Sequence, residues 1–125
     1  MVSADEIRQI FVALIGLTFL GFALWALISP RQLAQVLGQQ WSNSNGGNEF
    51  HAIYIGVFLA QALLCLVALL NPDIAILTDL VIAFLLAQPL GRLFALFRGF
   101  RTQGLLTLLF SLEVLGGGLL VLFRW

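Results

Sequence analysis

Apolar residues in this chain fall into four nearly continuous blocks, with polar residues gathered in the short gaps between them. A block of about 20 apolar residues forms a helix long enough to cross a hydrocarbon core of roughly 30 Å. The pattern predicts spans over about 7–28, 49–70, 74–97 and 104–123. Ser3, with Glu6 three residues on, has the form of a capping box that opens the first span. Ser29-Pro30 closes it, because proline disfavours helix at the residue before it. Residues 31–37 read as a short amphipathic interfacial helix, with Leu33, Val36 and Leu37 on one side and Arg31, Gln32 and Gln35 on the other. Gln39 to Asn48 reads as a loop of turn-forming Ser, Asn and Gly, with Trp41 as an interfacial anchor. Asn71-Pro72-Asp73 is a tight turn, and Arg98 to Gln103 a second short connection with Gly99 as a helix stop. Arg124-Trp125 is expected to anchor the fourth span at the headgroups.

Short connections force neighbouring spans to be antiparallel. The expected fold is an all-α membrane protein, a single domain over 1–125, built as an up-down four-helix transmembrane bundle. Composition agrees, since 10% of the residues are charged where about 25% is usual for a soluble domain. Zero net charge offers no basic patch for nucleic acid. The lone Cys65 lies in an apolar run, which leaves no disulfide and no thiolate metal cluster. The first block carries an acidic flank, Asp5-Glu6, where a signal peptide is basic, so it reads as a retained span. Arg31, Arg98 and Arg101 fall at one end of the bundle, with Arg92 just inside it; Arg8 and Arg124 fall at the other. The positive-inside rule then puts the 29–48 and 98–103 connections in the cytoplasm and both termini outside. Two small-residue stripes, Ala52, Gly56 and Ala60 and then Ala83, Ala87, Gly91 and Ala95, are expected to face each other or the bundle centre. Gly116-Gly117-Gly118 reads as a place of close helix approach.

The charged residues inside the spans that need explaining are Asp79, Arg92 and Glu113. Each costs about 2.5–3.5 kcal/mol near the bilayer centre even on lenient scales. Arg92 lies roughly 7–8 Å inside its end of the third span. Its depth is intermediate between Glu49, at the end of the second span, and Glu113, near the middle of the fourth. Its fork suits a carboxylate. Gln88 is one turn away from Arg92; His51 and Tyr54 extend the polar patch, and Gln61 lies at the depth of Glu113. The group is either an internal ion pair pinning helices together, a binding site for an anionic or polar head, or part of a proton or ion pathway. Asp79 caps or snorkels, with Arg124 or Arg8 as partner. His51 could ligate a haem or chlorin, but a single His near the interface is weak ground, and no cofactor is expected. Pro89 should bend the third span beside Arg92. No metal cluster, nucleophile–base pair or cofactor motif is evident, so no catalytic residue is assigned and no enzymatic activity is expected.

Pro30, the run Asn48-Glu49-Phe50-His51-Ala52-Ile53-Tyr54-Ile55-Gly56, Gly91-Arg92-Leu93, Gly99 and Glu113 together carry a resemblance. The chain resembles the small bacterial four-helix membrane proteins grouped as domain of unknown function 4345. The resemblance implies the four-span fold, a bacterial inner membrane, and the Glu49–Arg92–Glu113 constellation, but no reaction. It also implies Arg where this chain has His51, so an anion site here would be weaker or pH-dependent. The expected function is that of a small accessory subunit packed in a larger membrane complex, or a homo-oligomer, in the lipid bilayer. The alternative is a carrier or binder of a small lipophilic or anionic ligand at Glu49, Arg92 and Glu113.

Overall fold

A computed structural model describes residues 3–123. Helix α1 runs Ala4–Ile28, α2 Pro30–Val36 and α3 Ser44–His51. A π-helical turn over Ala52–Val57 carries α3 without a break into α4, Phe58–Leu70. Helices α5, Ala75–Phe97, and α6, Leu105–Leu122, complete the chain. The described residues contain helices and no strand. Four stretches, Ala4–Ile28, Ser44–Leu70, Ala75–Phe97 and Leu105–Leu122, are long and apolar enough to cross a membrane.

The ends are set by local chemistry. The Ser3 hydroxyl accepts the Glu6 N–H at 3.2 Å and opens α1. Pro30 takes the first position of α2, where its missing N–H costs nothing. On α2 the buried residues are Leu33, Ala34 and Leu37, while Val36 is exposed. The inward stripe therefore sits one position round from the sequence expectation. Spacings of 33, 36, 37 and 33, 34, 37 both make one helical face, and Ala34 carries too little apolar surface to decide between them.

The second long helix starts earlier than expected. Residues 44–48, read as loop, already belong to α3. Asn43 caps it, its side-chain oxygen accepting the Gly46 N–H at 3.1 Å; turn formers are also cap formers. A Cβ on Gly47 would lie 3.4 Å from the Trp41 ring. The bare glycine backbone lets that ring lie against the first turn, 5.2 Å from Phe50. In the π turn, the Phe58 N–H donates to the Ile53 carbonyl five residues back. The wider turn keeps residues spaced by four in line. Phe50, Tyr54 and Phe58 stack inward at centroid distances of 4.7 and 5.0 Å, and Phe19 of α1 meets Phe58 edge-on at 5.0 Å.

Helix α1 packs along α4, α4 on α5 and α5 on α6, while α1 and α6 meet over a shorter stretch. A Cβ on Gly16 would come 2.9 Å from the Cys65 Cβ, so α1 and α4 touch almost backbone to backbone. The expected small-residue seam is overturned. Ala52, Gly56 and Ala60 on one helix and Ala83, Ala87 and Gly91 on the next are exposed. The aromatic stripe fills the inward face of the first, and Val81, Leu85 and Pro89 that of the second. Residues two positions on point the opposite way. Gly116 and Gly117 do mark a close approach. A Cβ on Gly116 would lie 3.4 Å from Leu85, and one on Gly117 would overlap the Leu86 side chain.

Candidate functional site

Glu113 follows Leu109 and precedes Gly117 and Leu120 on the buried stripe of α6. Arg92 stands one turn beyond Gln88 on α5, three residues past buried Pro89. Its Nη2 reaches Glu113 Oε1 at 3.3 Å, with the two side chains 20% and 7% exposed. The same nitrogen donates to Gln88 Oε1 at 3.5 Å. The pair is an ion contact rather than a set of aligned hydrogen bonds. Both Glu113 oxygens and Arg92 Nε lack a hydrogen-bond partner. Arg92 thus joins α5 to α6.

Glu49 and His51 stand apart from this pair. Both are exposed, because the inward position between them is Phe50, and a helix turns its neighbours about 100° away on either side. His51 Nδ1 lies 2.7 Å from the Gly47 carbonyl oxygen, one turn back on its own helix. The expected knot of three helices through Glu49, Arg92 and Glu113 is therefore a two-helix pair. Tyr54 is buried, its hydroxyl oxygen accepts from the Gln39 amide at 3.3 Å, and it lies within electrostatic reach of Arg92 and Glu113. Gln61 is buried beside Phe19, Cys65 and Val81; both Glu113 oxygens are without a hydrogen-bond partner, so the Gln61 amide does not donate to them. Asp79 is half-buried near the start of α5. Arg124, one of its expected partners, and the Arg124-Trp125 anchor lie outside the described residues.

Sequence reasoning missed a cleft. A partly open cavity of about 320 Å³ runs between α1 and α6, with Leu85 and Gln88 of α5 and Phe58 of α4 behind it. Its walls are apolar, with Phe11, Phe19 and Phe22 prominent; the polar side chains in its lining are Thr18, Gln88 and Glu113. The Thr18 hydroxyl donates to the Leu14 carbonyl at 2.8 Å, which leaves its oxygen as an acceptor. Arg92 is not in the lining. At one end the two helices are clasped, Arg8 Nη1 donating to the Phe123 carbonyl at 3.1 Å and Phe11 meeting Phe123 at 6.0 Å. The usable signal was Thr18 and Gln88, polar residues deep in apolar spans. The walls gave none, because Leu and Phe facing a cavity look like Leu and Phe facing lipid.

The arrangement is an apolar slot with three polar side chains, Thr18, Gln88 and Glu113, in its lining. Comparison with curated proteins and with solved structures returns no match. The family model described as Domain of unknown function (DUF4345) matches residues 7–124, nearly the whole length, and the chain belongs to that family.

Proposed function

We propose that the chain is a non-enzymatic integral membrane protein that takes a small lipophilic ligand from the bilayer into the α1–α6 cleft. The ligand's polar end lies along the Thr18, Gln88 and Glu113 side chains of the lining, and Arg92 holds Glu113. In this reading the spans run up and down across a bacterial inner membrane, and α2 lies along its cytoplasmic surface. Arg31, Arg98 and Arg101 face the cytoplasm, and the termini lie outside.

The observation that carries the reading is the cleft itself, an apolar cavity of about 320 Å³ with Thr18, Gln88 and Glu113 in its lining. That combination is the usual form of a small-molecule site. A second groove of about 470 Å³, outside α1 and α4, lacks it; apart from the Cys65 thiol its lining is aliphatic and glycine. Such a groove can rest an acyl chain but has nothing with which to choose one.

The test is extraction of the full chain from a bacterial membrane, followed by mass spectrometry of the small molecules that leave with it. A stoichiometric lipophilic species is expected. Leu14 is 54% exposed at the rim of the cleft. Leu14→Trp should fill the opening and lose the species without loss of fold. Equal retention by this variant would sink the reading.

A specific observation favours a second reading, an accessory subunit or homo-oligomer. The exposed stripes of α4 and α5 are the kind of surface through which membrane helices associate. A lone small particle on sizing in mild detergent, with no protein bound, would count against it.

A further inference from the structure

Residues 98–104 join α5 to α6 and carry Arg98 and Arg101. We propose that this connection, together with Phe97 at the end of α5, binds the phosphate headgroup of an anionic phospholipid. Such binding needs neither the α1–α6 cleft nor one particular direction of the spans. The connection is held at both ends. Gly99 has a φ of 91°, a conformation that glycine adopts without strain. Its N–H donates to the Leu96 carbonyl at 3.0 Å, and the Phe100 N–H donates to the Ala95 carbonyl at 2.9 Å. These two bonds close the glycine turn that satisfies the last carbonyls of a helix. At the other end the Thr107 hydroxyl donates to the Thr102 hydroxyl at 3.1 Å, tying the connection to α6. Arg98 and Phe100 thus stand on a fixed turn.

Charge and apolar surface coincide on that turn. Phe97 and Phe100 are 87% and 70% exposed, and Arg98 and Arg101, each next to one of them, are exposed as well. Helix α5 has 23 residues, a length of about 35 Å at 1.5 Å per residue. A span that ends at Phe97 therefore brings the connection to the headgroup layer. There a ring can enter the acyl boundary while the guanidinium beside it stays with the phosphates. The positive charge has no internal counterweight. Residues 80–112 hold Arg92, Arg98 and Arg101 and neither Asp nor Glu. Arg92 is matched by Glu113 and Arg8 by Asp5, whereas Arg98 and Arg101 make no salt bridge among the described residues. The start of α6 has no side-chain cap, so its dipole adds to the same positive field. A guanidinium fork matches phosphate oxygens. A zwitterionic head brings its own ammonium group and gains less, which selects the anionic lipid. An acidic protein would answer the arginines, but the two rings already stand where the bilayer covers them.

The experiment uses the full chain purified in mild detergent. It is offered equimolar phosphatidylglycerol and phosphatidylcholine with the same dioleoyl chains, and bound lipids are counted by native mass spectrometry. The parent should retain phosphatidylglycerol about tenfold or more over phosphatidylcholine, since each arginine at an anionic surface is worth roughly fivefold. Arg98→Gln with Arg101→Gln should bring the ratio to about one. Arg98→Lys with Arg101→Lys should keep part of the preference, as a charge without the fork. Phe97→Ser with Phe100→Ser should lower retention of both lipids. All four positions are exposed, so the variants should unfold with the parent in dodecyl sulfate. Excess glycerol 3-phosphate should leave the bound phosphatidylglycerol in place. Its displacement would give the arginines to a soluble phosphate ester and overturn the lipid assignment. No preference in the parent, the result expected of a patch made for an acidic protein, would overturn the site. So would a preference unchanged in the glutamine variant.

Discussion

Glu113 and Glu49 are the same residue type on helices of one bundle, and they should respond to substitution very differently. Glu113→Gln leaves the Arg92 guanidinium without its counter-charge. Breaking a buried pair costs about 3–5 kcal/mol. Arg92 keeps 20% of its side chain exposed and can swing toward the headgroups, so a loss of about 2–3 kcal/mol is the better expectation. Glu49 is exposed, and Glu49→Gln should change stability by no more than about 0.5 kcal/mol. Replacing both partners with Leu should recover most of the loss, because two apolar groups leave no orphan charge. Unfolding in mixed micelles by titration with dodecyl sulfate measures all four proteins. Equal losses for the two glutamates would mean that Arg92 is shared as the sequence alone suggested. Depth along each span was legible, and of the two carboxylates it set within reach of Arg92 the structure pairs it with Glu113. Rotation of each helix was not. Position 49 flanks Phe50, and nothing local says that Phe50 is the residue turned inward.

At the level of the element, two glycines of α1 separate packing from propensity. A Cβ on Gly16 would lie 2.9 Å from the Cys65 Cβ, an atom fixed to the α4 backbone that cannot swing aside. Gly16→Ala should therefore push α1 and α4 apart and cost about 1–3 kcal/mol. Gly21 has open space where its Cβ would be. Gly21→Ala should be neutral or gain up to about 1 kcal/mol from helix propensity. The same micelle titration reads both, and two equal effects would exclude the close approach of α1 and α4. Elements whose ends carry a chemical marker were readable: Ser3, Pro30 and the Asn71-Pro72 turn all fall at helix boundaries. The start of α3 was misjudged because Asn43-Ser44-Asn45-Gly46-Gly47 is turn chemistry and cap chemistry at once. The π turn over Ala52–Val57 left no trace in residue type. It exists in the folded bundle, where it keeps Phe50, Tyr54 and Phe58 on one line.

For the molecule as a whole, length and hydropathy made the four long helices and the family legible before any coordinate was known. The lateral order of the helices was not, because lipid is as apolar as Leu and an outward face need not differ from an inward one. That is why the small-residue stripes were placed in the bundle centre, and why the seam between α1 and α6 went unseen. The proposed direction of the spans across the bilayer rests on charge: Arg31, Arg98 and Arg101 fall at one end if the spans alternate. Single cysteines at exposed Asn45, Asp73 and Gln103, in a Cys65→Ala background, test alternation and direction separately. In intact bacterial cells, a membrane-impermeant maleimide should label Asp73→Cys. Asn45→Cys and Gln103→Cys should react after the membrane is opened. If Asn45→Cys and Gln103→Cys react from opposite sides, the spans do not alternate. If the whole pattern inverts, alternation stands and the three arginines face outward. The cleft would then keep its place between α1 and α6, because turning the bundle over leaves the packing of its helices unchanged.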